Sequence, residues 1–197
     1  FGRNVLEVLR QPLEDRMITI SRAKYSVEYP SNFTLIGAMN PCPCGYYNHP
    51  TKECSCQPFA INRYFSRISG PLLDRIDMHI EVVPVPLSEI NGEQKEESSA
   101  EIRKRVIAAR EVQLRRFVGT GIHSNAMMNS AMLRKFCPLS AEVRSLLEMA
   151  MQRLNLSARA YDRIIKVART IADLAGAENI ESAHIAEAIN YRTLDRD

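Results

Sequence analysis

The sequence predicts an α/β segment followed by an all-helical module, and three observations carry that expectation. Up to Pro86, short runs of β-branched, aromatic and aliphatic residues alternate with helical patterns. A polar, glutamate-rich stretch over 88–99 interrupts them, and beyond Ala100 apolar residues recur only at helical spacing. With 197 residues, 45% hydrophobic and 25% charged, the chain has globular composition and enough length for one domain or two small ones.

Over 3–13, Val5, Leu6, Val8, Leu9 and Leu13 fall at helical spacing. Residues 17–20 and 25–29 alternate as strands do and predict a β-hairpin whose short tip, 21–24, is basic. The run 33–39 is mostly apolar, of strand length, and ends at Asn40-Pro41, the pattern of a buried strand that delivers a polar residue at its C-terminal edge. Residues 57–68 read as a helix broken by Ser69-Gly70-Pro71, 72–75 as a turn, and 76–85 as a second strand ended by Pro84 and Pro86. The stretch 88–99, with Asn91-Gly92 as a turn signal, reads as a linker or mobile loop. Helices follow near 100–117, 129–136, 140–154, 157–175 and 181–191, with Ser140 and Ser157 as N-caps and Gly176 as a C-terminal stop.

The formal net charge is only +3, so the overall balance does not by itself predict a nucleic-acid partner. Local clusters matter more. Arg22 and Lys24 mark the hairpin tip, and Arg103, Lys104, Arg105, Arg110, Arg115 and Arg116 load one helix, for which a solvated face is the default reading. No apolar run approaches the ~20 residues that cross a bilayer, and nothing resembles a signal peptide, so a soluble, cytoplasmic chain with no membrane partner is expected.

Four of the five cysteines follow the pattern Cys42-x-Cys44, nine intervening residues, Cys54-x-Cys56. Residues two apart on an extended segment point to the same side, so each pair can offer two thiolates and two pairs can complete a tetrahedron around zinc. Four cysteines would fill the coordination shell, which makes the site structural. The spacing is tighter than the usual two to four residues between ligands, and His49 is a candidate replacement. Two disulfides or four free thiols are the alternatives. Cys137 stands apart and reads as a buried small hydrophobe.

Three segments, in order, carry a family resemblance: Ile36-Gly-Ala-Met-Asn-Pro-Cys-Pro-Cys-Gly45, Arg67-Ile-Ser-Gly-Pro-Leu-Leu-Asp-Arg-Ile-Asp77, and Leu156-Ser-Ala-Arg-Ala-Tyr-Asp-Arg-Ile-Ile165 continuing into Val167-Ala-Arg-Thr-Ile-Ala-Asp-Leu174. The chain resembles the C-terminal portion of the Mg-chelatase-related, ComM/YifB-like AAA+ ATPases over essentially its whole length. The resemblance implies a partial P-loop NTPase core of late strands and a pre-sensor hairpin, followed by a helical lid. Its divisions would be a core part with a zinc-binding insertion (42–56) over 1–90, a linker over 91–100, and a lid over 101–197.

By the same resemblance Asn40 is the sensor-one residue, whose amide can orient the attacking water beside the γ-phosphate; read alone, it is a strand-end Asn satisfying a turn. Arg75 matches the arginine finger that acts in trans and so should lie on an exposed face, or else is an Arg paired with Asp74 or Asp77 on a solvated turn. Arg159 is the sensor-two residue at the start of a lid helix, while Arg163 and Arg169 on the same helix read as solvated charges. Arg22 and Lys24, on a hairpin that points into the central pore of related machines, would contact DNA.

No Gly-x-x-x-x-Gly-Lys-Ser/Thr occurs, and Phe1 falls just beyond the expected Walker B acidic pair, so this segment by itself is expected to bind ATP weakly and not to hydrolyse it. For the intact protein the resemblance implies hydrolysis of ATP with Mg2+, assembly into a ring, a hexamer, and DNA remodelling or branch migration in competence. The rivals are the ATPase subunit of a magnesium chelatase and a protein-remodelling scaffold.

Overall fold

The computed structural model describes residues 2–85 and 97–192. The described residues fall into two units, one up to Ile76 with Glu81–Pro84, the other Asp77–Ile80 with the residues from Val85 onward. Most of the expected linker lies outside the described residues.

The first unit opens with two short helices, α1 (Arg3–Val8) and α2 (Arg10–Asp15), where the sequence suggested one. Pro12 is the cause: its ring clashes with the carbonyl four residues back, at Val8, and the helix breaks at Leu9. Arg16, in the left-handed region at φ 55°, closes α2 and starts the hairpin. Strands β1 (Met17–Arg22) and β2 (Tyr25–Pro30) pair antiparallel, with Ile18 opposite Tyr29, Ile20 opposite Val27 and Arg22 opposite Tyr25. Those six side chains therefore share one face.

The expected strands over 33–39 and 76–85 are not formed. Both segments are without regular structure, and the two-stranded hairpin is the only sheet among the described residues. A strand needs a neighbour to receive its N–H and C=O groups, and no described segment is paired with either. Most of their apolar residues are accordingly exposed, Ile36 to 90%. Helix α3 (Pro58–Phe65) is shorter than expected, and the supposed turn after it is a one-turn helix, α4 (Gly70–Leu73), whose N-cap Ser69 accepts a hydrogen bond from the Leu72 amide at 3.3 Å.

The second unit contains α5 (Ser99–Arg116), a 3-10 turn (Asn125–Met127), α6 (Ser130–Phe136), α7 (Ala141–Arg153), α8 (Ala158–Leu174) and α9 (Ser182–Asn190). Local chemistry sets their ends. Ser98 and Glu101 form a capping box on α5; Ser140 and Ser157 accept amide hydrogen bonds at 3.2 Å from Val143 and Ala160. Gly176, at φ 70°, ends α8, and the amides of Gly176 and Ala177 return to the carbonyls of Asp173 and Ala172 as a Schellman motif.

Helix α8 organises this unit. Ala160, Ile164, Ile165, Ala168, Ala172 and, in the same buried stripe, Arg169 and Asp173 recur at the 3.6-residue period. Around them close Phe117, Met128, Leu133, Val143, Leu147, Ile180, Ile185 and Ile189, with Cys137 serving as the small buried hydrophobe expected of it. Burial pushes the Cys137 thiol up to about 11, so it stays neutral. Among the described residues no helix is long and apolar enough to cross a membrane.

Candidate metal centre and nucleotide-site residues

The four clustered cysteines converge. Pro43 and Gly45, the latter at φ 84°, turn the chain so that the Gly45 amide meets the Cys42 carbonyl at 3.1 Å, and Asn48 at φ 57° reverses it again. The sulfur of Cys42 lies 3.3 Å from that of Cys44 and 3.6 Å from that of Cys54, with Cys44 and Cys54 3.5 Å apart. All four sulfurs, including that of Cys56, lie within 4.8 Å of one another. None is in a disulfide. Tetrahedral zinc with Zn–S bonds of about 2.3 Å needs sulfurs about 3.8 Å apart, so the donor set fits one ion.

The electrostatics favour thiolate at one side of the cluster. A hydrogen bond from the Tyr46 amide leads in holding the Cys44 thiol down at about 6. At Cys54 the Cys56 amide works in the same direction, but desolvation and the neighbouring thiols outweigh it and push the group up to about 12. His49 is not among the converging groups: its Nδ1 accepts the amides of Thr51 at 3.2 Å and Lys52 at 3.1 Å.

Arg75 and Asn40 belong to the first unit. Asn40 is exposed at the end of the unpaired 33–39 segment. Arg75 departs from the expected outward-facing side chain: it is only 10% exposed, its Nε pairs with Glu14 at 3.1 Å and one terminal nitrogen donates to the Pro71 carbonyl at 2.6 Å. Glu14 on α2 is an ion-pair partner that lies outside the local turn. Nothing in the spacing announces that pair, because its members are far apart in sequence.

Arg22 and Lys24 lie together at the hairpin end, Lys24 in the two-residue turn and Arg22 across from Tyr25, which is 76% exposed. The aromatic beside the two cations is a feature the charge pattern alone had not singled out. It was legible as a tyrosine directly after the basic tip.

In the second unit Arg159 is exposed in the first turn of α8, immediately after the Ser157 cap. The other two arginines of this helix are not solvated charges. Arg163 forms an ion pair with Asp77, and Arg169 is buried, with its Nε 3.0 Å from Asp173 and its terminal nitrogens donating to the carbonyls of Glu178 and Ala177. Arg116, assigned by its cluster to a solvated face, makes a bidentate pair with the same Asp173 and also donates to Asn125 Oδ1 at 2.8 Å. Asn125 in turn donates to Asp173 and to Thr170. A carboxylate with no exposed side-chain surface thus receives four hydrogen bonds from three residues and fastens α5 and the 3-10 turn to α8. The signal for this was present: Arg169 and Asp173 occupy the apolar stripe of α8, four residues apart, where unpaired charges are not tolerated.

Comparison with known proteins gives a consistent result along the chain. Residues 1–90 match the family model described as magnesium chelatase, subunit ChlI, and residues 96–192 match magnesium chelatase, subunit ChlI C-terminal. The chain is 44% identical over 197 residues to competence protein ComM of Haemophilus influenzae, covering all of this chain and 38% of that protein. It is 42% identical to the protein YifB of Salmonella typhimurium and 41% identical to that of Escherichia coli, each over 198 residues and again 38% of the relative's length. The chain therefore spans well under half the length of these curated relatives.

Proposed function

Because the chain belongs to the magnesium chelatase subunit ChlI family, whose two models it matches in succession, we propose that it is the late-core and lid portion of a ring-forming AAA+ ATPase that remodels DNA. Residues 1–90 supply the end of the α/β core, 91–100 a linker and 101–197 the lid. Asn40 orients the attacking water, Arg75 reaches the nucleotide of the neighbouring subunit in a hexamer, and Arg159 contacts the phosphates of its own. A positioned guanidinium of this kind accelerates phosphoryl transfer by roughly 10³ to 10⁵. Mg2+–ATP is the substrate of the whole protein, a cytoplasmic one. The Cys42, Cys44, Cys54 and Cys56 thiolates hold a zinc ion whose filled shell makes it structural.

The observation that carries the DNA reading is the hairpin end, where two cations and an exposed tyrosine stand together on strands that bury almost nothing. Such a group contacts phosphates through Arg22 and Lys24 and offers Tyr25 for base stacking. Similarity to a competence protein agrees with that role. In the full-length protein, replacing Arg22 and Lys24 together by Ala should weaken DNA binding and flatten the slope of log affinity against log salt by about 2 per engaged subunit. Unchanged affinity and slope would remove the hairpin from the DNA path.

A second reading, the ATPase subunit of a chelatase complex, is favoured by the match to ChlI itself. ATP turnover that responds to a porphyrin-handling partner and not to DNA would select it.

A further inference from the structure

The boundary between the two units falls between Ile76 and Asp77, immediately beyond Arg75. The four residues Asp77–Ile80 pack as part of the helical unit, with contacts to Arg163 and Tyr191. Asp77 forms an ion pair with Arg163, one turn along α8 from Arg159. The backbone amide of His79 donates to the carbonyl of Tyr191, just beyond α9, at 2.6 Å, and the His79 side chain is buried. The helical unit therefore grips the chain two residues after Arg75 from the helix that carries Arg159.

We propose that Asp77 is a positioning residue for Arg75: its pair with Arg163 couples the placement of α8, and hence of Arg159, to the segment that aims the finger. The inference rests on the reading of Arg75 and Arg159 as nucleotide-contacting residues. A lid that moves when Arg159 engages phosphate pulls on Asp77 through a charged link and on His79 through a backbone hydrogen bond, and one residue, Ile76, separates that grip from Arg75. Nucleotide occupancy in one subunit thereby sets the readiness of the finger that serves its neighbour. The pair itself contributes little to stability, since the Asp77 side chain is 47% exposed and that of Arg163 17%. Its effect belongs in turnover.

The test is a double-mutant cycle in the full-length protein with Asp77→Asn, Arg163→Gln and the combination, alongside Arg75→Ala, reading kcat, nucleotide affinity and thermal midpoint. Each single variant should lower kcat about tenfold, as expected for a catalytic group misplaced by a fraction of an ångström. Nucleotide affinity and midpoint should stay near the parent's. The combination should cost no more than either single change, because the two residues act as one link. Combining Asp77→Arg with Arg163→Asp should recover part of the lost kcat. If Arg75→Ala abolishes turnover while the Asp77 and Arg163 variants turn over normally, or if their losses multiply, the coupling is refuted and the finger reading stands. If Arg75→Ala itself turns over normally, the finger reading fails, and the coupling fails with it.

Discussion

In the helical unit Leu147, Ile164 and Ile185 are wholly enclosed in one continuous core, whereas in the unit that carries the hairpin Ile20, Ile36 and Val82 stand in solvent and the buried positions are scattered over Pro12, Cys42, Ile61 and Leu72. The two units differ in whether their apolar residues have something to close against. Helices satisfy their backbone internally, so α5 to α9 can assemble around α8 using only side chains within the same unit. The segments 33–39 and 76–85 are largely apolar but have no neighbouring strand among the described residues, and most of their apolar side chains remain exposed. In the first unit, the four sulfurs and the Arg75–Glu14 pair link segments separated in sequence.

The largest expected effect breaks this comparison at the proposed zinc site. Structural zinc sites of this type contribute on the order of 10 kcal/mol of apparent binding free energy, all of it available to fold the polypeptide around them. Removing the ion with a chelator, or changing Cys44→Ser, should abolish hydrogen-exchange protection across 42–56 while leaving α5 to α9 protected. Acidification should act in the same direction. The ligands bind as thiolates, so protons compete with the metal and its affinity falls as pH falls; zinc release followed against pH checks the sign. Equal loss of protection in both units would end the distinction between them.

Next in size is the buried network of the helical unit. Asp173→Ala leaves the guanidinium groups of Arg116 and Arg169 without their carboxylate, one of them fully enclosed, and should cost about 3–5 kcal/mol in stability measured by denaturant unfolding. Zinc content should be unaffected. Smallest is the cap of α8: Ser157→Ala should cost about 1 kcal/mol. Because that cap also fixes the turn bearing Arg159, it sharpens the comparison by asking whether nucleotide affinity drops along with midpoint.

What was legible in the sequence follows the same division. Ser140, Ser157 and Gly176 mark helix ends by chemistry confined to a few neighbouring residues, and the structure uses each of them. The hairpin was legible for the same reason, its partners being adjacent in the chain. The spacing of the cysteines pointed to their convergence, although Cys42 and Cys44 meet across a turn closed by the Gly45 amide rather than on the extended segment expected. By contrast, strand expectations for 33–39 and 76–85 read hydrophobicity correctly and pairing not at all, since pairing depends on residues distant in sequence. Arg169 and Arg116 were misread as solvated because charge alone was weighed, although Arg169 falls on the apolar stripe of α8 beside Asp173. The partner of Arg75, Glu14 on α2, lies sixty-one residues away and leaves no local trace.

The most direct test of the account is ATP turnover by the full-length protein measured without DNA, with duplex and with a four-way junction. A DNA-remodelling ring with Arg75 and Arg159 at its nucleotide sites predicts strong stimulation by the junction. Active turnover that is indifferent to all three conditions would contradict it.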